Sequence, residues 1–167
     1  MMTGRRQRFG VVAGLGLMAA GGLVTSVVSG GLPVGSVAAA DTETVTVYKT
    51  PFCGCCSAWV EHLRNKGLTV ESRDVSQREL MALKQQHGVS RDLASCHTAL
   101  VDGYVIEGHV PATDVHRLLD ERPEADGLAV PGMPVGSPGM EQGARSEPYE
   151  VVVFAGGSKS SVFASYE

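Results

Sequence analysis

Three of the four cysteines of this 167-residue chain lie within four residues, in the run Cys53-Gly54-Cys55-Cys56. The run follows a β-branched segment and precedes a helical pattern, which places it at a helix N-terminus. A helix N-terminus stabilises negative charge, so thiolates form there more easily. Because thiolates bind soft metal ions and attack disulfides, the run indicates either metal binding or thiol–disulfide chemistry.

The elements on either side of this run follow from hydrophobic periodicity. Thr44 to Lys49 alternates and is β-branched, which predicts a strand. Apolar residues at i, i+3, i+4 and i+7 predict a helix from the cysteine run to about Lys66. Leu68 to Val75 predicts a second strand. Because a helix joins the two strands, they should run parallel in a right-handed βαβ unit.

The next segment predicts a further helix, a hairpin and a third helix. Ser76 and Glu79 match a capping box, which opens a helix that ends at His87. A hairpin follows from Cys96 to Glu107, with its first strand beginning at Cys96 and an Asp-Gly turn at its centre. A third helix should lie between Pro111 and Pro123. This order predicts an α/β fold with a central mixed sheet of about four strands and flanking helices.

The C-terminal part breaks the pattern. Residues 123–148 hold five prolines and five glycines and predict a long loop. Loops of this length in compact domains are often functional. Residues 150–166 should form a hairpin around Gly156-Gly157. We expect residues 41–167 to form one domain.

Residues 1–40 predict a cleavable export signal. Arginines at positions 5, 6 and 8 precede an uncharged stretch, and three alanines before Asp41 form a cleavage site. Both the Sec and the twin-arginine routes fit. An uncleaved anchor is the alternative, because the stretch is about long enough to span a bilayer. Its high glycine and alanine content favours cleavage, a periplasmic location and no stable membrane insertion.

Charge and motifs exclude several classes of function. The whole chain has a net charge of −4, and loss of the three N-terminal arginines takes it to −7. No basic patch stands out, so we expect no nucleic-acid partner, whereas a metal ion is electrostatically easier to bind. No Ser/His/Asp arrangement, phosphate-binding glycine loop or paired carboxylate motif is visible, so we assign no catalytic residue.

Export would place the four cysteines in an oxidising compartment, where structural disulfides are the ordinary expectation. Adjacent cysteines such as Cys55 and Cys56 rarely have the geometry to bridge each other. At most one long-range link, to Cys96, could then form. An inert envelope domain held by such a disulfide is therefore one alternative.

The run from Tyr48 to Cys56 resembles the active-site junction of glutaredoxins, with Cys53 and Cys56 as a C-x-x-C pair. Two features depart from that pattern. Cys55 is an extra cysteine, and Cys96 with the following histidine stands where thioredoxin-type enzymes place a proline. The thioredoxin-like topology that the resemblance implies brings Cys96 to the other three cysteines. A bound metal ion would offset the repulsion among four thiolates.

The mature sequence as a whole resembles the periplasmic CopG-like copper-resistance proteins, which are metal-binding proteins with a thioredoxin-like fold. The resemblance covers roughly Val45 to Tyr166. It depends on four segments together: residues 53–56, 95–99, 107–112 and 127–141. It implies copper binding at the cysteines in the cell envelope, linked to copper detoxification.

The residues themselves leave two metals open. Soft thiolates select Cu(I) or zinc, and thioethers add a bias toward Cu(I). Four cysteines could hold one tetrahedral zinc ion. Three thiolates crowded into one turn favour bridging instead, so we expect a small Cu(I) cluster for copper resistance or homeostasis. Periplasmic copper-handling proteins would be its partners. The alternative is a thiol–disulfide oxidoreductase that uses Cys53 and Cys56.

Three residues outside the cysteines are further candidate metal ligands. His109 ends a predicted strand just before a helix, where its side chain could ligate the metal or hydrogen-bond a ligand. Met133 and Met140 lie seven residues apart in the Pro/Gly loop. They could cover the site and offer thioether ligands to copper.

Other residues near the site are assigned structural roles. His97 is tethered to Cys96, but alternation along a strand that begins at Cys96 would point it to the opposite face. Trp59 and Met81 are assigned to the core. The remaining histidines lie on predicted helices among charged residues and should be solvated: His62, His87 and His116.

Overall fold

The computed structural model describes residues 43–167, and the predicted export signal lies outside this part. Seven strands and three helices are found in it. The strands are β1 (Thr44–Lys49), β2 (Thr69–Asp74), β3 (Thr98–Val101), β4 (Tyr104–Glu107), β5 (Gly127–Ala129), β6 (Tyr149–Ala155) and β7 (Ser158–Tyr166). The helices are α1 (Gly54–Asn65), α2 (Gln77–Gln86) and α3 (Ala112–Glu121). None of these helices is long and apolar enough to cross a membrane.

The strands of residues 43–167 form one mixed sheet in the order β2-β1-β3-β4-β5-β6-β7. β1 is parallel to β2 and β4 is parallel to β5, and the other neighbours are antiparallel. The predicted α/β class with a mixed sheet is confirmed. The predicted count of about four strands is wrong, because β5 pairs with both β4 and β6 and so joins the C-terminal hairpin to the same sheet.

β5 lies inside the segment predicted to be a Pro/Gly loop, residues 123–148. All three of its residues are buried. A strand of three residues within a run of glycines and prolines is too short for alternation to reveal it. The predicted C-terminal hairpin is confirmed, with its turn at Gly156-Gly157, where both residues have positive φ.

The sheet buries apolar side chains on both faces. Neighbouring residues of one strand enter different clusters, as Ile106 and Val105 of β4 do, because alternate side chains point to opposite faces. One cluster includes α1 and α3 and is the larger. Trp59 of α1 is fully buried in it, as predicted, and its indole Nε1–H donates to the backbone oxygen of Val110 at 2.8 Å.

Helix α2 begins with the predicted capping box. The backbone N–H of Ser76 donates to the Glu79 carboxylate at 2.7 Å, and the Glu79 N–H donates to the Ser76 hydroxyl at 3.2 Å. The buried residues of this helix are Leu80 and Lys84. The assignment of Met81 to the core is wrong, since its side chain is 53% exposed. It follows Leu80 by about 100° of helical rotation and therefore leaves the buried stripe.

Replacing Gly127 with alanine should lower the free energy of unfolding by about 2–3 kcal/mol, a typical cost of overpacking. A Cβ at this position would overlap the backbone oxygen of Val105 on the neighbouring strand. Gly54→Ala is the matched control, because no atom lies within 4 Å of its Cβ position. Urea denaturation of both variants measures the difference, and equal stabilities would contradict the prediction.

Candidate metal centre

The first turn of α1 carries the cysteine run. Cys53 is the N-cap residue, and its backbone N–H donates to the carbonyl oxygen of Thr50 at 3.2 Å. Cys55 and Cys56 follow within the same turn. No acidic residue lies in this turn. The positive end of the helix dipole is therefore not offset by a neighbouring carboxylate on the helix, and it would stabilise negative charge placed at this end.

The fourth cysteine reaches this turn through the antiparallel pairing of β1 with β3. Tyr48, near the end of β1, lies opposite Thr98, the first residue of β3. Cys96 precedes Thr98 by two residues and so lies beside the chain that leaves β1. Its Sγ atom is 3.4 Å from the Sγ atom of Cys56. All four Sγ atoms lie within 4.8 Å of one another, so the predicted convergence is confirmed.

Two of the four sulfur atoms are joined. Cys53 and Cys56 form a disulfide, and Cys55 and Cys96 are free thiols. The long-range link to Cys96 considered from the sequence is not formed. The Sγ atoms of Cys53 and Cys55 are 3.5 Å apart. A metal ion that used all four sulfurs as thiolates would therefore require this disulfide to be reduced first.

His109 faces the free thiol of Cys96. Its Nε2 atom lies 3.1 Å from the Cys96 Sγ, and its Nδ1 atom lies 2.8 Å from the backbone oxygen of Pro138. A carbonyl oxygen can only accept, so we assign the ring proton to Nδ1. Nε2 then presents a lone pair toward Cys96, the arrangement found for histidine ligands whose other nitrogen is hydrogen-bonded.

His97 also faces this thiol, which corrects the expectation that it points away. Strand β3 begins at Thr98, so strand alternation does not apply to His97. Its Nδ1 atom is 3.3 Å from the Cys96 Sγ. Its ring lies 4.4 Å from the ring of Trp59 and 5.0 Å from the ring of His109. Within residues 43–167, the buried Nε2 atom has no hydrogen-bond partner.

Burial sets the protonation of these groups. Burial, and after it the neighbouring Cys55, raises the pKa of the Cys96 thiol to about 12. Burial lowers the pKa of His109, and it lowers the pKa of His97 well below its usual value. Both imidazoles are therefore neutral at pH 7, which is the form that binds metal ions. The Cys96 thiol would release a proton when it does so.

The Pro/Gly loop packs against both halves of the site. The Gly132 N–H donates to the backbone oxygen of Ala94 at 3.1 Å, and the Ser95 hydroxyl donates to the Gly132 oxygen. Gly139 has a φ of +85°, and a Cβ there would lie 2.7 Å from the Cys55 oxygen. The loop thus contacts the segment before Cys96 and the first turn of α1.

The two candidate methionines each follow one of these contact glycines. Met133 follows Gly132 and is 53% exposed, and Met140 follows Gly139 and is half-buried. Each methionine is therefore next in sequence to a glycine that contacts the site. Their role as ligands stays a prediction.

Two solved structures are similar to this chain over most of its length. The first, described as copper resistance protein CopG form 2, is 43% identical with a TM-score of 0.69, and the match covers 76% of this chain and 100% of that chain. The chain belongs to the CopG-like copper-resistance family. The second, CopG form 1, is also 43% identical, with a TM-score of 0.68 and coverage of 74% and 96%.

The chain was also compared with protein-family profiles and with curated proteins. A family profile described as a protein of unknown function, DUF411, matches residues 93–140, which contain Cys96 and the histidines and methionines of the site. Comparison with curated proteins gives no match. Membership of the CopG-like family and the cysteine cluster together indicate a copper-related function, with a metal ion as the partner.

The sequence interpretation missed a buried ion pair that contacts the segment around Cys96. Lys84 of α2 is 8% exposed and Glu107 of β4 is fully buried, and their side chains are in contact. Lys84 follows Leu80 by four residues and so continues the apolar stripe of α2. A lysine at an inward position of an otherwise regular stripe was the signal that could have revealed it.

The other histidines differ in their surroundings. His116 is exposed, as predicted. His62 is half-buried, and its Nε2 atom accepts the backbone N–H of Ala112 at 3.1 Å, so the prediction that it is solvated is wrong. The reason is that α3 begins beside α1, and His62 accepts one of the N–H groups at its N-terminus. His87 is half-buried at the C-cap of α2.

In metal-free protein with the disulfide intact, iodoacetamide should modify Cys96 very slowly at pH 8. A thiol with a pKa of about 12 carries roughly a thousandfold less thiolate at that pH than an unperturbed cysteine with a pKa of about 8.5. In the folded protein, the modification rate of Cys96 should still rise about tenfold per pH unit near pH 10. In a chain unfolded in urea, the modification rate should no longer depend on pH there, because an unperturbed thiol is already ionised. Site-resolved mass spectrometry measures both rates, and identical pH profiles would contradict the prediction.

Proposed function

We propose that this protein binds Cu(I) at the converging cysteines and serves copper resistance or homeostasis in the periplasm. The observation that carries the proposal is the set of sulfur and nitrogen atoms around Cys96. One group consists of the four cysteines, and a second consists of Cys96, His97 and His109. Within each group the candidate ligand atoms lie within 4.8 Å of one another.

The number and type of these donor atoms favour copper over zinc. A structural zinc ion takes four ligands in a tetrahedron and is complete. Here two groups that share Cys96 together offer four sulfurs and two neutral imidazoles, which is more than one such ion uses. Thiolates select Cu(I) or zinc, and thioether ligation by Met133 and Met140 would add a preference for Cu(I).

Cys96 is the donor best placed to bridge two ions. Its Sγ atom lies 3.4 Å from Cys56 on one side, and 3.3 Å and 3.1 Å from His97 and His109 on the other. A thiolate in this position could serve one copper ion held by the cysteine run and a second held by the histidines. We therefore infer a small cluster rather than a single ion.

Loading of the full site depends on the disulfide between Cys53 and Cys56. A dithiol reductant would convert it to two thiols by thiol–disulfide exchange and would itself become a disulfide, and each thiol would give up its proton when it binds Cu(I). Cys55 and Cys96 are free in either state. The oxidised protein would therefore hold less copper than the reduced protein.

We further infer a thioredoxin-like fold and a periplasmic location. The order β2-β1-β3-β4, with β1 parallel to β2 and antiparallel to β3, supports a thioredoxin-like assignment for the first four strands. The predicted signal in residues 1–40 supports export, with residues 41–167 as a single domain. Periplasmic copper-handling proteins would then deliver or receive the copper.

A second candidate function is thiol–disulfide exchange, favoured by the disulfide of the C-x-x-C pair at the N-terminus of α1. Cys53 is partly exposed, as an attacking thiol must be, and Cys56 is fully buried, as a resolving thiol often is. This function needs neither Cys55 nor Cys96. It therefore leaves the convergence of the other donors without a purpose.

Replacing Cys55 with serine separates the two functions. The reduced parent should bind several Cu(I) ions per chain in an anaerobic titration, and Cys55→Ser should lose most of that capacity because bridging needs all four sulfurs. Disulfide reduction by the metal-free variant should be unchanged if Cys53 and Cys56 alone are required. Metal content by elemental analysis and insulin reduction measure the two activities.

Ser57→Ala is the control for that experiment, because Ser57 is an exposed residue of the same helical turn. It should retain the copper capacity of the parent. A parent that binds one zinc ion, which excess Cu(I) does not displace, would refute the copper proposal. Strong insulin reduction by metal-free parent, together with full copper capacity in Cys55→Ser, would favour the oxidoreductase.

Replacing Met133 and Met140 together with leucine should weaken Cu(I) binding and leave zinc binding unchanged, because thioethers favour Cu(I). Leucine conserves the volume of methionine, so packing should change little. Met81→Leu is the matched control, since Met81 is exposed on α2. Competition with a chromophoric Cu(I) chelator measures the affinity, and an unchanged value in the double variant would exclude the methionines as ligands.

A further inference from the structure

The buried ion pair behind the site directs its hydrogen bonds to the segment that carries Cys96. Glu107 Oε1 accepts the backbone N–H of Ser95 at 2.6 Å. Lys84 Nζ lies 3.4 Å from the backbone oxygen of His97. The two charged groups thus contact the residues immediately before and immediately after Cys96.

Thr98 closes this network. Its hydroxyl donates to Glu107 Oε2 at 2.7 Å and accepts from Lys84 Nζ at 2.9 Å. Each carboxylate oxygen of Glu107 therefore has a partner from the segment 95–98. Gly108, which follows Glu107 in the chain, donates its N–H to the His97 oxygen at 3.1 Å. A Cβ at Gly108 would overlap the Ser95 side chain.

Stability alone does not account for this pair. Burying two charges costs free energy, and replacing a buried ion pair with apolar residues of similar size is often neutral or stabilising. The specific contribution of this pair is geometric. It supplies the partner of the Ser95 N–H, on a segment that precedes β3 and has no strand ladder to hold it.

We propose that Lys84 and Glu107 are positioning residues that hold Cys96 in reach of the other donors. The inference rests on the proposed copper site. Residues that orient metal ligands through hydrogen bonds commonly change metal affinity 10- to 100-fold when replaced. Glu107 acts through the Ser95 N–H and Lys84 through the His97 oxygen, so Cys96 is fixed from both sides.

Two charge-free double variants test this. Lys84→Met with Glu107→Gln keeps an amide oxygen that can accept the Ser95 N–H, whereas Lys84→Met with Glu107→Leu removes every acceptor at that position. Neither leaves an unpaired buried charge. Asp114→Asn is a matched control, because Asp114 is a buried carboxylate on α3 that accepts from Tyr166 at 2.6 Å.

The Leu variant should bind Cu(I) about 10- to 100-fold more weakly than the parent, and its Cu(I)–thiolate absorption at saturation should change. The Gln variant should fall between the Leu variant and the parent, because it keeps an acceptor for the Ser95 N–H but lacks the Lys84 donor to the His97 oxygen, and Asp114→Asn should match the parent. Equal affinities in the Gln and Leu variants would overturn the proposal, as would a Leu variant with the affinity of the parent.

Hydrogen exchange at the Ser95 amide gives a readout without copper. It should be slow in the metal-free parent and the Gln variant, and fast in the Leu variant, while core amides of β1 remain protected in all three. Slow exchange in the Leu variant would overturn the positioning role. If the three proteins show this exchange pattern but the parent binds no Cu(I), the proposed function is refuted. The role of the ion pair in holding the segment 95–98 would then still stand.

Discussion

The site depends on the antiparallel pairing of β1 with β3. Because β1 leads directly into the cysteine run, and because β3 follows Cys96 by only two residues, this one pairing brings two distant parts of the sequence together. Cys56 and Cys96 are 40 residues apart in the chain, and their sulfur atoms are 3.4 Å apart. Helix α1, the Pro/Gly loop and the buried ion pair then contact the two segments that this pairing has brought together.

The surroundings of Cys96 combine low polarity with soft donors. Burial holds the thiol protonated and both neighbouring imidazoles neutral, so the metal-free site places little charge in the interior. Such an environment penalises a lone thiolate, and a monovalent soft cation removes that penalty by pairing with it. The burial that disfavours a lone Cys96 thiolate would therefore favour, at the proposed copper site, ions that bind sulfur strongly.

The sequence was sufficient for elements with strong local signals. The βαβ unit, the capping box of α2 and the Asp-Gly hairpin all follow from spacing and turn chemistry, and the meeting of Cys96 with the other cysteines follows from the topology. β5 was missed because a strand of three residues is too short to show an alternating hydrophobic pattern. The side chain of His97 is assigned to the wrong face because the predicted strand begins at Cys96, two residues before β3 begins at Thr98. Lys84 was missed because a charged residue on a buried stripe is identified only by the partner that neutralises it, and Glu107 lies 23 residues away.

The close approach of Gly139 to the first turn of α1 has a consequence for how copper could enter and leave. Since a side chain at this position would overlap the Cys55 carbonyl, the loop seats directly on the helix end and leaves no space there for a hydrated ion. Copper exchange by this path would then require the loop to lift, or would proceed from partner to partner by ligand substitution, without the ion ever dissolving into the surrounding water. The second route would keep the ion out of solution while it is transferred.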